Sequence, residues 1–298
     1  MERKTSLDTF GILSLTGFAV LLGVNQVAIK LGNGGFQPVF MAGIRSLGAL
    51  CVLLLWMRLR GVEFRIRPGT VPSGILLGVL FAIEFSCIFF ALDLTTVART
   101  SILFYTMPVW LGFAGHFLLE GERLSPMKLA GQGLAVLGVA IAVLDRGGPG
   151  EASLLGDALA LLAAMCWAGI ALLARGAPVS KTRPEMQLFW QLAISAPLLL
   201  ILSLWFGPFI RDFEIYHLGL LIFQIVCIAS LGFLFWFWLL SIYPASSVAS
   251  FSFLTPILGV ILGWALLREE LGASIIISLT LVCLGLILIN RPAKDRPR

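Results

Sequence analysis

The sequence predicts an all-α integral membrane protein of ten transmembrane helices in two inverted five-helix repeats. The composition is too apolar for a soluble domain, the apolar residues fall into ten runs of spanning length, and the two halves of the chain match each other. Of 298 residues, 59% are hydrophobic and only 12% charged, against about 25% charged in ordinary soluble domains. The mean hydropathy is +0.99. Disorder requires the opposite composition. A membrane barrel would show short segments of alternating polarity, and these runs do not alternate.

The first run, 10–31, follows a polar start that carries Arg3 and Lys4. It exceeds the roughly 7–15 residues of a signal-peptide core, and no clear cleavage site follows, so it reads as a retained span. Runs 38–57 and 71–91 come next, with one deep charge each, Arg45 and Glu84. Run 95–118 carries Pro108 near its middle, and 126–144 completes the first five. Gly147-Gly148-Pro149-Gly150 reads as a short turn that divides a first repeat, 1–145, from a second, 146–298. The second five runs are 154–175, 186–206, 215–241, 245–267 and 272–290, the fourth carrying Pro256. All are near the ~20 residues that cross the hydrocarbon as a helix.

The repeat is read residue against residue. Gly11 to Lys30 aligns with Gly156 to Arg175, and Tyr105-Thr106-Met107-Pro108-Val109 aligns with Phe253-Leu254-Thr255-Pro256-Ile257. Acidic turns follow both proline-bearing runs, Glu120 and Glu122 in one, Glu269 and Glu270 in the other. Five spans per repeat is an odd number, so the second copy enters from the opposite side of the membrane. The cation distribution then sets the orientation. With the N-terminus in the cytoplasm, 15 Lys and Arg fall on the inner side, 3 (Arg146, Arg211, Arg268) on the outer, and Lys30, Arg45 and Arg99 in or at the edge of spans. This positive-inside bias places both termini in the cytoplasm. It also accounts for the net charge of +5 without nucleic acid as a partner.

Matched prolines in matched spans are the first functional signal. Proline lacks the N–H that would satisfy the carbonyl four residues back, which frees Phe104 and Ser252 at mid-membrane. Such breaks either kink helices for packing or, as Pro108 and Pro256, act as hinges beside a transport site. Ser101, Tyr105, Ser250 and Ser252 supply nearby hydroxyls. The deep charges come second. Arg45 lies seven residues after Pro38 and Glu84 seven before Ala91, so both sit about 10 Å below the outer end of their helices. Intramembrane charges usually pair, and Arg45 and Glu84 are expected to approach each other. They form either a structural pair or a functional one, in proton coupling or in binding a substrate charge. Asn25, Gln26 and Lys30 give the first span a polar stripe, with Lys30 able to snorkel outward and Gln26 facing inward. Phe81, Phe85 and Ile88 share the face of Glu84. Trp167 lies too deep for an interfacial belt, which Trp56 and Trp205 fit; Trp236 and Trp238 add aromatic surface. Gly74–Gly78 and Gly259–Gly263 permit close helix contact.

Enzymatic constellations are missing: no P-loop, no HExxH and no GxSxG. His116 and His217 are far apart, and Cys51, Cys87, Cys166, Cys227 and Cys283 lie in separate runs with no CxxC pair. Neither an enzyme, nor a metal site, nor a cofactor is expected.

With its 5+5 repeat, Pro108 and Pro256, the acidic turns, Leu22-Gly23-Val24-Asn25 and Arg45, the chain resembles the drug/metabolite transporter superfamily, and within it the ten-span EamA type. The match is looser in the second half, where Trp190 stands in the place of Arg45 and Ile170 in that of Asn25. The resemblance implies a central path lined by spans 1, 3, 4, 6, 8 and 9, with spans 5 and 10 peripheral. It is closest to bacterial exporters of amino acids, including aromatic ones. This implies a secondary carrier in the bacterial inner membrane that moves small metabolites outward by alternating access. Its substrate-binding candidates are Gln26, Glu84, Phe85, Ser101, Tyr105, Trp167 and Ser252. The partners are the lipid bilayer and a small molecule, and the short loops let the bundle fold as a monomer. A carrier of phosphorylated or nucleotide sugars would need several deep cations, where only Arg45 is present. A receptor or scaffold would not need matched breaks.

Overall fold

A computed structural model describes residues 8–118, 125–145, 153–243 and 253–290. Hydrocarbon offers no partner to a peptide group, so each segment satisfies its own backbone as a helix. The described residues contain no strand, and one isolated bridge joins Phe36 to Ile210. The first repeat comprises α1 (Thr9–Gly35), α2 (Pro38–Leu59), α3 (Val71–Leu94), α4 (Val97–Phe104), α5 (Met107–Leu118) and α6 (Pro126–Leu144). The second comprises α7 (Leu154–Gly176), α8 (Pro184–Leu202), α9 (Ile215–Phe223), α10 (Leu231–Ile242), α11 (Leu254–Leu267) and α12 (Ala273–Asn290). Taking α4 with α5 and α9 with α10 as single crossings, nine segments among the described residues are long and apolar enough to span, and α11 is a shorter tenth.

Local chemistry explains the helix starts. Asp8, Thr96, Ser125 and Ser153 accept backbone N–H groups from the first turns of α1, α4, α6 and α7, as N-cap side chains do. Proline opens α2, α6 and α8, where its missing N–H is no loss. At the far end of α11, Arg268 adopts a left-handed conformation and stops the helix.

The inversion is visible in the packing. A two-fold that exchanges the repeats must bring certain helices onto their own counterparts, and α2 packs on α8, α4 on α11 and α6 on α12. Gly131 faces Gly285, while Gly138 faces Ser278. Position rises along α6 as it falls along α12, so the fifth spans of the two repeats run antiparallel. On the other side, Gly74 and Gly78 of α3 receive Trp190 and Ile194 of α8. The most deeply buried span is α3 and the least is α6. The largest core cluster gathers Leu77, Phe81 and Phe89 of α3 with Val39 and Met41 of α2 and Leu188 and Leu192 of α8.

Two interruptions shape the bundle. The fourth span breaks at Tyr105–Thr106, with Pro108 in the first turn of the second half. The Leu103 carbonyl there accepts both the N–H and the hydroxyl of Thr106. The eighth span contains a π-helical segment, Gln224–Ile228, in which Ala229 N–H reaches the Gln224 carbonyl at 2.9 Å. The sequence gives no warning of it, because the segment holds neither Gly nor Pro. The predicted run 245–267 is seen as a helix from Leu254; the turn 147–150 and most of the acidic turn after the fourth span lie outside the described residues.

The α6–α12 seam yields a packing prediction. A Cβ on Gly285 would stand 2.5 Å from the Gly131 carbonyl oxygen, whereas one on Gly133 would meet nothing within 4 Å. Gly285→Ala is expected to destabilise by about 1–3 kcal/mol and Gly133→Ala to be near neutral. Thermal unfolding in detergent compares the two; equal melting temperatures would refute this seam.

Candidate functional site

Five helices converge around the break in the fourth span. Phe81, Phe85 and Phe89 repeat every fourth residue along α3 and so form one aromatic face. Their ring centroids are 4.4 Å apart for Phe81–Phe85 and 6.2 Å for Phe85–Phe89. From α2, the guanidinium carbon of Arg45 lies 3.8 Å from the Phe85 centroid and 5.3 Å from that of Phe89. Arg45 is completely buried, and none of its three guanidinium nitrogens has a hydrogen-bond partner. Glu84 is also buried, within electrostatic reach of Arg45 and of Cys166 on α7. Among the described residues, no hydrogen bond or ion pair joins Glu84 to Arg45 directly.

Next to Cys166, Trp167 stacks on Phe104 at 5.0 Å and 19°, and meets Tyr105 edge-on at 6.0 Å. The Gln26 side chain of α1 approaches the Tyr105 hydroxyl. The amide oxygens of Asn25 and Gln26 are buried without partners. Gln26, Tyr105 and Trp167 thus gather at the break, and Arg45, Glu84 and Phe85 gather between α2 and α3; Phe85 and Tyr105 belong to the same large buried cluster, against which Trp167 packs. Ser101 sits at a helix crossing instead. Its hydroxyl packs where Gly259 of α11 has no Cβ, and it is buried and unpartnered. Pro256 is the third residue of α11, while Ser250 and Ser252 lie outside the described residues. A cavity of ≈ 320 Å³ lies against Phe40, Met41 and Ile44 of α2 and Phe213, Leu218 and Leu221. Its lining is wholly apolar, so it offers no anchor for a polar group.

One end of the bundle is laced by charges that the sequence did not flag. Arg99 spends its whole fork: Nε and Nη2 donate to Asp157 at 3.1 and 2.6 Å, Nη2 to the Ala142 carbonyl at 2.6 Å, and Nη1 to the Asp145 carbonyl at 3.1 Å. Glu269 accepts the N–H groups of Val97 and Ala98 at 2.6 and 2.9 Å, an anion placed on the positive end of α4. Arg211 pairs with Asp93 at 2.8 and 3.1 Å. The Arg99–Asp157, Glu269–α4 and Arg211–Asp93 contacts each join one repeat to the other, whereas the Ala142 and Asp145 carbonyls belong to the first repeat with Arg99. Lys30 stays inside rather than snorkelling, donating to the carbonyls of Leu92 and Thr95 at the end of α3. In the sequence Arg99 and Asp157 stand 58 residues apart at the edges of separate runs, and only the topology unites them. Cross-repeat bonds at the opposite end include Tyr243 donating to Asp8 at 2.6 Å and Val179 N–H to Ser73 at 3.2 Å.

Two inverted repeats, a span broken near its middle and buried polar groups left without partners are the construction of an inverted-repeat membrane transporter. Within that class, the chain belongs to the EamA-like transporter family, whose model matches residues 9–144 and again 154–291. It is 25% identical over 93% of its length to the uncharacterized transporter YoaV of Bacillus subtilis, with 94% of that protein covered. It is 28% identical over 97% of its length to a probable amino-acid metabolite efflux pump of Escherichia coli, with 95% of that protein covered. A solved crystal structure superposes with a TM-score of 0.65 at 20% identity, covering 92% of this chain and 94% of that one; it shows the shared fold.

Removing one partner of a buried, hydrogen-bonded ion pair leaves a charge stranded. Arg99→Met is therefore expected to cost about 3–5 kcal/mol, and the double variant Arg99→Met/Asp157→Leu to recover most of it. Chemical unfolding in detergent measures both; a double variant no better than the single would show that the pair is not the source of the loss.

Proposed function

We propose that the protein is a secondary carrier that exports small amphipathic metabolites, foremost neutral and aromatic amino acids, by alternating access. The observation that carries this reading is the break at Tyr105–Thr106, lined by Trp167, Phe104 and Gln26. It combines apolar ring surface with unpaired amide groups at mid-membrane, which is what an amino-acid side chain and its polar backbone require. The relative described as a probable amino-acid metabolite efflux pump supports the substrate class.

The two repeats, 1–145 and 146–298, are the bodies that rock. Pro108 and Pro256 mark the hinges. The bacterial relatives support an inner-membrane location, and the cation bias supports cytoplasmic termini with the Arg99 end facing outward. The Arg99–Asp157 pair, the Glu269 cap and the Arg211–Asp93 pair then form the outer gate, shut in this conformation. The buried Arg99–Asp157 pair contributes most, because the half-exposed Arg211–Asp93 pair is screened by water.

In liposomes loaded with an unlabelled neutral amino acid, the purified protein is expected to drive counterflow of the labelled one. Trp167→Ala should raise the half-saturating concentration roughly tenfold, the equivalent of about 1.4 kcal/mol of lost ring contact. Absence of counterflow across the whole neutral amino-acid panel would reject the reading.

A further inference from the structure

Among the described residues two arginines are buried, Arg45 and Arg99, and they are treated in opposite ways. Around Arg99 every guanidinium nitrogen donates, to a carboxylate and to two helix-end carbonyls. Around Arg45 none does, although the residue is more deeply buried. Contact with the rings of Phe85 and Phe89 favours the cation but satisfies none of its five N–H donors. A buried polar group without partners is costly, and more so in a membrane. Glu84 is within electrostatic reach of Arg45 but makes no bond to it. Two buried ionisable groups are therefore held near each other with no bond between them.

We propose that Arg45 and Glu84 are the two anchors of a zwitterionic substrate, Arg45 taking its carboxylate and Glu84 its ammonium group. This rests on the carrier reading above and names the charge pattern of its substrate. A carboxylate matches the guanidinium fork, accepting two parallel N–H bonds. Charge balance selects the rest of the ligand. With Arg45 and Glu84 both ionised on binding, the pair sums to zero, so only a ligand of zero net charge leaves the buried site neutral. A free dicarboxylate or a sugar phosphate adds uncompensated negative charge, whereas an α-amino acid adds none. The α-carbon substituent then lies toward the aromatic surface of Phe85 and Phe89 on α3. The second repeat has Trp190 where the first has Arg45, so the site is single and belongs to the first repeat.

The test combines ligand and protein changes in liposome counterflow. The neutral L-amino acid that wild type carries best is compared with its own carboxamide, which lacks the carboxylate, and with its desamino acid, which lacks the ammonium. Wild type is expected to prefer the amino acid to either analogue by about tenfold or more, the worth of one charge-assisted contact. Arg45→Gln is expected to erase the preference over the carboxamide, and Glu84→Gln the preference over the desamino acid. Wild-type transport of amino acid and carboxamide at equal rates would overturn the proposal while leaving an amino-acid carrier standing. So would an Arg45→Gln protein that keeps the wild-type preference. If no amino acid is carried at all, this proposal and the carrier reading beneath it both fall. Should either variant fail to assemble, the wild-type ligand series alone decides.

Discussion

Inside a bilayer the solvent accepts and donates nothing, and every other feature of this protein follows from that constraint. The chain must satisfy each peptide group with its own helices, so departures from helix are confined to places where protein meets the freed groups. The break at Tyr105–Thr106 obeys this rule in its own turn, where the Thr106 hydroxyl and N–H both reach back to the Leu103 carbonyl. The π segment in the eighth span obeys it too, with Ser230 donating to the Ile225 carbonyl at 2.7 Å. A polar group left unsatisfied under the same rule is therefore informative. Arg45, Asn25 and Gln26 are such groups, and among them Arg45 alone leaves every nitrogen of a charged side chain without a partner.

The same constraint divides the charges of the molecule into two kinds. Those at the Arg99 end are fully bonded and join the repeats, so they act on the relative position of two rigid bodies. Those at the centre are unbonded and belong to the first repeat. Bonded charges hold a conformation, and unbonded ones wait for something to bond. A carrier needs both, because a site that satisfied itself would have no affinity to offer. Likewise, a gate without breakable polar contacts would seal by apolar packing alone, with no discrete bonds to exchange as it opens. Cross-repeat contacts are present at both ends of the bundle, not at the Arg99 end alone. Tyr243–Asp8 and Ser73–Val179 occupy the other end.

How much of this was legible in the sequence follows from the range of each interaction. The spans, the repeat and the family were readable because hydropathy and proline positions are local signals. Nine of the runs match the observed spans closely, α1 and α3 running three or four residues further, and the run 245–267 is seen as a helix only from Leu254. The deep charges Arg45 and Glu84 were visible because charge in an apolar run is rare. The Arg99–Asp157 pair was not, because each residue sits at a span edge where a charge is unremarkable, and their meeting depends on how α4 and α7 pack. Lys30 illustrates the same limit. Its position allows it to reach for water, and only the placement of the α3 C-terminus turns it into a cap for that helix. The π segment was invisible for another reason, since nothing in Gln-Ile-Val-Cys-Ile disfavours an ordinary helix.

The departures from symmetry carry the last step. An inverted repeat built from identical halves would place two equivalent sites about its axis. Here the counterpart of Arg45 is Trp190, buried against Gly74 and Gly78 of α3, and the counterpart of Asn25 is Ile170. In the second copy these positions have become packing. Trp190 fills the groove that the two glycines leave and so braces α3, the helix that presents Glu84 and Phe85. At these two positions the second repeat is apolar where the first is polar, and through Trp190 it supports the helix that carries Glu84 and Phe85. The proposed site therefore draws its polar groups from one repeat and its bracing from the other.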